Sequence, residues 1–245
     1  MALLLRSKKV DFSQGYYYFV DRQQLVAIRQ YREDWSKAKI KRAKKIAKFL
    51  SFIPWIKLIG ITGALAMKNA DKKDDIDLFF ITSKDRVWLS RGVIVLILRV
   101  SGLYRRPNKK TDMICPNMFV AEDRLKMGPE DLFIAHEIVQ MKPIFDRGGV
   151  YQKFLKENRW VKKFLPNAIL NDTQNMTRNP QKIFNFQFSI FNLAEALARR
   201  FQLWYMSKKR TTEVVSENLI KFHPQDVRGW VLKEYQERLQ KLKIS

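Results

Sequence analysis

Residues 59–82, I-G-I-T-G-A-L-A-M-K-N-A-D-K-K-D-D-I-D-L-F-F-I-T, constrain this chain more than any other stretch. An apolar run ends at a glycine, a few helix-forming residues follow, and a polar loop leads into a second apolar run. That pattern predicts a strand, a tight turn, a short helix and a second strand. Asp75 and Asp77 open the second strand, two residues apart. Side chains on a strand alternate between its faces, so both carboxylates must project from the same one. Like charges packed together against a sheet need a cation between them, and paired carboxylate oxygens suit Mg²⁺ or Mn²⁺ better than zinc. Asp74 is out of phase with the pair and is expected to point the other way.

Gly63 follows the first apolar run and opens the short helix. A residue without a side chain lets the backbone approach a bound group, and free N–H groups at such a bend attract phosphate. A phosphate cradle and a metal clamp in one module describe a site for a nucleoside triphosphate with its Mg²⁺ or Mn²⁺.

The same residues carry a resemblance. The chain resembles the nucleotidyltransferases of the DNA polymerase beta fold, whose pattern is an apolar residue, Gly, then Gly or Ser, about a dozen residues, and Asp-apolar-Asp-apolar. Here it reads Thr62, Gly63, Ala64, a ten-residue spacer, and Asp75-Ile76-Asp77-Leu78. Ala64 stands where the family usually has Ser, which removes a hydroxyl that would touch the triphosphate. The resemblance implies an α+β fold, with a small mixed sheet and flanking helices over residues 1–145. It further implies transfer of a nucleoside monophosphate from an NTP to an acceptor hydroxyl. Thr62, Gly63 and Ala64 would face the phosphates, and Asp75 and Asp77 would hold the metal. Relatives carry a third acid on a neighbouring strand. Asp112 is the better chemical match for it, and Asn117 is the match by position but could neither ligate a metal well nor take a proton. Acceptors used in this superfamily include aminoglycosides, protein hydroxyls and RNA ends. The alternative is a catalytically inactive protein of this fold that binds nucleic acid.

Charge bears on the acceptor. The 245 residues include 47 Lys plus Arg against 24 Asp plus Glu, a net charge of +23 that draws polyanions such as RNA. A single cysteine, Cys115, excludes an internal disulfide and a multi-cysteine metal site, and it reads as a small core residue in a reducing, cytoplasmic setting. Met1 to Leu5 is too short an apolar run for a secretory signal, and no stretch approaches the ~20 apolar residues of a membrane span. His136 and His223 have no Ser or Cys partner in a recognisable arrangement, so a hydrolytic triad has no support.

The remaining elements follow from periodicity. Tyr16 to Phe19 reads as a strand or hairpin arm. A helix is expected from Arg22 to Leu50, with Leu25, Ile28, Tyr31, Trp35, Ala38, Ala43, Ile46 and Leu50 inward and a basic stripe from Arg29 to Lys48 outward. That stripe is the candidate grip on a phosphate backbone. Trp55 to Thr62 forms the first central strand, Asp85 to Tyr104 a helix buried nearly all round, and Met113 to Val120 a third strand, with Pro116 at an edge or bulge. A helix runs from Gly128-Pro129 to Met141. Residues 146–245 are expected to form a helical C-terminal domain. It would contain a helix from Val150 to Phe164, a linker from Pro166 to Pro180, a helix from Phe184 to Met206, one from Thr211 or Thr212 to Phe222, and a last one from Pro224.

Overall fold

In the computed structural model, residues 9–168, 188–207, 214–215, 219–221 and 227–241 are described. The N-terminal hairpin pairs β1 (Val10–Ser13) with β2 (Tyr16–Phe19) in antiparallel register. Gln14 and Gly15, both at positive φ, make its two-residue turn. Helix α1 (Gln24–Leu50) then runs 27 residues without Gly or Pro. It is followed by β3 (Ile56–Ile61), α2 (Gly63–Ala66), β4 (Ile76–Thr82), α3 (Val87–Val100), β5 (Ile114–Ala121) and α4 (Leu132–Gln140). Strand β6 (Lys142–Asp146), α5 (Val150–Glu157) and a 3-10 turn (Arg159–Lys163) come next, then α6 (Phe188–Ser207), β7 (Val214–Val215), β8 (Leu219–Lys221) and α7 (Val227–Lys241).

The fold is α+β. One mixed sheet has the order β6-β3-β4-β5-β8-β7. Strand β3 is antiparallel to β4 and β6, β4 is parallel to β5, and the short β8 and β7 extend the sheet with antiparallel pairings. Alternation along β4 divides the core in two. Ile76, Leu78 and Phe80 enter a cluster with Ala43, Ala47 and Leu50 of α1 and Trp88, Ile94 and Leu98 of α3. Phe79 and Ile81 enter the opposite cluster with Ile134, Ala135 and Ile138 of α4 and Phe154 and Leu155 of α5. Phe80 stacks on Phe119 at 4.8 Å between ring centres, and Phe79 meets Phe154 at 5.5 Å.

Several expectations are corrected. The inward face of α1 is Val26, Ser36, Lys39, Ala43, Ala47 and Leu50, while Leu25, Ile28 and Tyr31 are exposed. The first turns of α1 lie over the loop that follows α2, which presents carbonyls rather than apolar surface. Arg29, Arg32 and Lys39 therefore turn toward that loop instead of joining a solvated stripe. Helix α3 is not buried all round: Leu96 and Val100 are exposed, and α6 covers only part of it. Glu195 of α6 accepts from the backbone N–H of Trp88 and of Leu89, both at 2.8 Å, at the start of α3.

Strand β6 was not expected. Five residues containing Pro143 and starting one residue after a helix carry little strand signal, yet on the sheet's edge a proline costs no ladder bond that must be made. Residues 146–245 are not purely helical either. The region expected as a helix ending at Phe222 contains β7 and β8, which join the same sheet as the Asp pair. Thr211, Thr212, Phe222 and Pro224 lie outside the described residues, as do Phe184 and most of the expected linker from Pro166 to Pro180. Among the described residues no helix is long and apolar enough to cross a membrane.

Candidate functional site

Strand β3 ends at Ile61, in register with Leu78 of β4. The Thr62 N–H donates to the Asp77 carbonyl at 3.1 Å, so the chain is still tied to β4 when it turns. It turns at Gly63, at φ +64, where an added Cβ would stand 3.2 Å from Asp77 Oδ2. Glycine is required twice here, for the left-handed backbone and for the closeness of the carboxylate. The bend and the acid thus share one small space.

Asp75 and Asp77 do share a face. One oxygen of each carboxylate and Cys115 Sγ lie within 4.8 Å of one another. Cys115 arrives there because β5 runs parallel to β4 with Asp77 opposite Cys115. The position across from Asp77 is therefore held by a thiol, whereas the expected third-acid candidates are Asp112 and Asn117.

The electrostatics follow from burial. Packing against the sheet pushes the Asp77 carboxyl from its ordinary 3.8 up to about 7. Asp75 adds to the rise and Glu137 does so more weakly, while a hydrogen bond from Cys115 and the charge of Arg105 oppose it. Asp75 has its own cation: Arg105 Nε lies 2.5 Å from Asp75 Oδ2. The Nε–H is not aimed along a hydrogen bond, so this is a contact of charges. Burial pushes the Cys115 thiol up as well, reinforced by Asp77 and Asp75, which keeps it protonated and donating to Asp77.

Asp112 is not part of this group. It sits at φ +59 in the turn before β5, and its carboxylate accepts from Lys39 Nζ at 2.6 Å. Lys39, only 3% exposed, also donates to the carbonyls of Lys72 at 3.1 Å and Asp74 at 2.7 Å. The Asp112 N–H closes the set on the Asp74 carbonyl at 3.1 Å. The expected catalytic role of Asp112 gives way to a structural one: with Lys39 it pins the loop leading into β4 and so fixes where Asp75 and Asp77 emerge. Asn117 is the extra residue of a bulge, because Leu78 pairs with Pro116 and Phe79 with Met118.

The loop between α2 and β4 is held along its length by α1. Arg29 donates to the carbonyls of Lys68 and Met67, Arg32 to Asn69 Oδ1, and Ser36 Oγ accepts from the Ala70 N–H at 3.1 Å. Asp74 points away from the pair as expected, its Oδ2 accepting from the Asp71 N–H at 2.7 Å. Ala64 lies in the first turn of α2, and its carbonyl accepts from the N–H groups of Met67 and Asn69. His136 is exposed, and its Nδ1 lies 3.3 Å from Gln140 Nε2.

On the same face as the pair, Thr62, Phe79, Met118, Glu137, Met141 and Phe154 are among the residues around a small cavity of about 30 Å³. Thr62 is 9% exposed, and its hydroxyl has no hydrogen-bond partner. Cys115 and Arg105 are the two members of the site that sequence reasoning missed. Only the register of β4 on β5 reveals the first, and the second reaches Asp75 from a loop. Neither a protein-family model nor a curated protein matches this chain.

Proposed function

We propose that the protein is a metal-dependent nucleotidyltransferase, which joins the nucleoside monophosphate of an NTP to an acceptor hydroxyl. One observation carries the reading: two carboxylates converge on one sheet face while a glycine at positive φ brings bare backbone against one of them. The donor set suits a divalent cation. Asp77 is desolvated to the point of resisting ionisation, and beside it Thr62 has a buried hydroxyl without a partner. Asp75 and Asp77 would hold Mg²⁺ or Mn²⁺. When bound, such an ion neutralises the triphosphate and polarises the phosphorus under attack.

The protein's own part is positioning and charge. Gly63 leaves bare backbone for the outer phosphates to approach, and Arg105 beside Asp75 would add positive charge near a bound triphosphate. The acceptor hydroxyl gives up its proton to solvent as its oxygen bonds to the α-phosphorus, the bond from that phosphorus to the bridging oxygen breaks, and pyrophosphate leaves. No covalent enzyme intermediate is needed. The net charge of +23 favours a polyanionic acceptor such as an RNA end.

A second reading, a protein of this fold that binds nucleic acid without turning a nucleotide over, is favoured by Cys115 standing opposite Asp77 where an acid would serve catalysis. The two separate in one experiment. The full chain is incubated with Mg²⁺ or Mn²⁺, NTPs labelled at the α-phosphate, and in turn aminoglycosides, cellular protein and cellular RNA. Label on an acceptor together with released pyrophosphate, both lost in Asp75→Ala with Asp77→Ala, supports the transferase. RNA binding whose logarithm falls linearly with that of salt, with no pyrophosphate from any mixture, supports the second reading.

A further inference from the structure

The described residues present one mixed donor set of two carboxylates and a thiol. One oxygen each of Asp75 and Asp77 and the sulfur of Cys115 lie within 4.8 Å of one another, close enough for one ion to touch all three. Their positions are imposed by the sheet, since Asp77 and Cys115 are register partners on adjacent parallel strands and Asp75 precedes Asp77 by two residues on the same face. A second, independent feature lies beside them. The hydroxyl of Thr62 is buried with no partner, and the Thr62 N–H is bound to the Asp77 carbonyl, which places this orphan at the edge of the cluster. A buried polar atom without a partner is costly unless a ligand, or water held by one, satisfies it.

We infer that Asp75, Asp77 and Cys115 together form a three-ligand site for a borderline or thiophilic divalent ion of the Zn²⁺, Co²⁺ or Cd²⁺ class, with Cys115 as a direct ligand. This rests on the reading of Asp75 and Asp77 as cation ligands and adds to it a second, softer class of ion that the same pair takes together with Cys115. Hard ions such as Mg²⁺ take oxygen and leave a thiol alone, whereas softer ions bind thiolate at about 2.3 Å. With the hard ion, Cys115 stays protonated and donates to Asp77. With the softer ion, the metal–sulfur bond forms as the thiol proton passes to solvent. Three protein ligands leave a tetrahedral ion one open position, the arrangement of an ion that also holds a water or a substrate oxygen.

The test is a Co²⁺ titration of the full chain, followed by near-ultraviolet absorbance for the sulfur-to-cobalt charge-transfer band. Cys115 is the only cysteine, so any such band reports this residue. The wild type is expected to give a band saturating at one Co²⁺ per chain, and Cys115→Ser should lose it. Affinity for Cd²⁺ should fall in that variant by at least the roughly 10–100-fold that loss of an outer-shell partner costs. Alkylation of the wild-type thiol, which needs no variant, should be slowed by Cd²⁺ and not by Mg²⁺. Co²⁺ that binds without the band, or equal alkylation with and without Cd²⁺, overturns the inference. Mg²⁺-dependent NTP binding in the same samples separates the two claims: if it persists while the band is absent, the thiolate site falls and the transferase reading stands.

Discussion

Replacing Asp77 by Asn should make the protein more stable, and by an amount that depends on pH in a defined way. Burial and the neighbouring Asp75 raise the Asp77 carboxyl from 3.8 to about 7 in the folded state. The folded protein therefore holds a proton that the unfolded chain releases, and stability falls with rising pH across that interval. Below about pH 4 both states are protonated and the penalty is absent. Between about pH 4 and 7 it grows by about 1.4 kcal/mol per pH unit, and above 7 it is constant at up to about 4 kcal/mol. Asparagine cannot ionise and escapes the penalty. At roughly 2–4 °C per kcal/mol for a chain of this size, Asp77→Asn should melt on the order of 10 °C above the wild type at pH 8 and level with it at pH 4. The assay is thermal unfolding by circular dichroism at pH 4, 5, 6, 7 and 8 in a chelator. Parallel profiles at all pH values, or a variant less stable at pH 8, would refute the reasoning.

Three further variants follow from the same geometry. Gly63→Ala adds a methyl group 3.2 Å from Asp77 Oδ2 on a backbone at φ +64, so it should cost about 1–2 kcal/mol in chemical denaturation and weaken Mg²⁺-dependent nucleotide binding as well. Asp112→Asn keeps an oxygen for Lys39 to donate to and so keeps the loop pinned, and it should leave nucleotide binding unchanged because Asp112 does not face the pair. Lys39→Ala, by contrast, strips a partner from a half-exposed carboxylate and two carbonyls and should destabilise by about 1–3 kcal/mol, read by urea unfolding.

The hairpin of β3 and β4 was legible because its information is local. Alternation puts Asp75 and Asp77 on one face whatever surrounds them, and Gly63 announces the bend between two apolar runs. Helix α1 was legible in extent for the same reason. Which of its faces turns inward was not, because Arg29, Arg32 and Lys39 bond to carbonyls of a loop some forty residues away rather than to solvent. Cys115 is a matter of register: nothing near residue 115 says that it will lie beside residue 77, and the bulge at Asn117 shifts every later pairing by one. Strands β6, β7 and β8 are two to five residues long and gain their structure from the strands they join. Asp112 misled because a carboxylate next to a strand carries no mark of the lysine that neutralises it.

The central claim is that Asp75 and Asp77 grip a divalent ion that carries a nucleotide against the Gly63 bend. Calorimetric titration of a non-hydrolysable NTP, with Mg²⁺ and with chelator, into the wild type and into Asp75→Ala with Asp77→Ala tests it most directly. Saturable binding that requires Mg²⁺ and disappears in the double variant is the expected result. Equal binding by the two proteins, or binding indifferent to Mg²⁺, would contradict it.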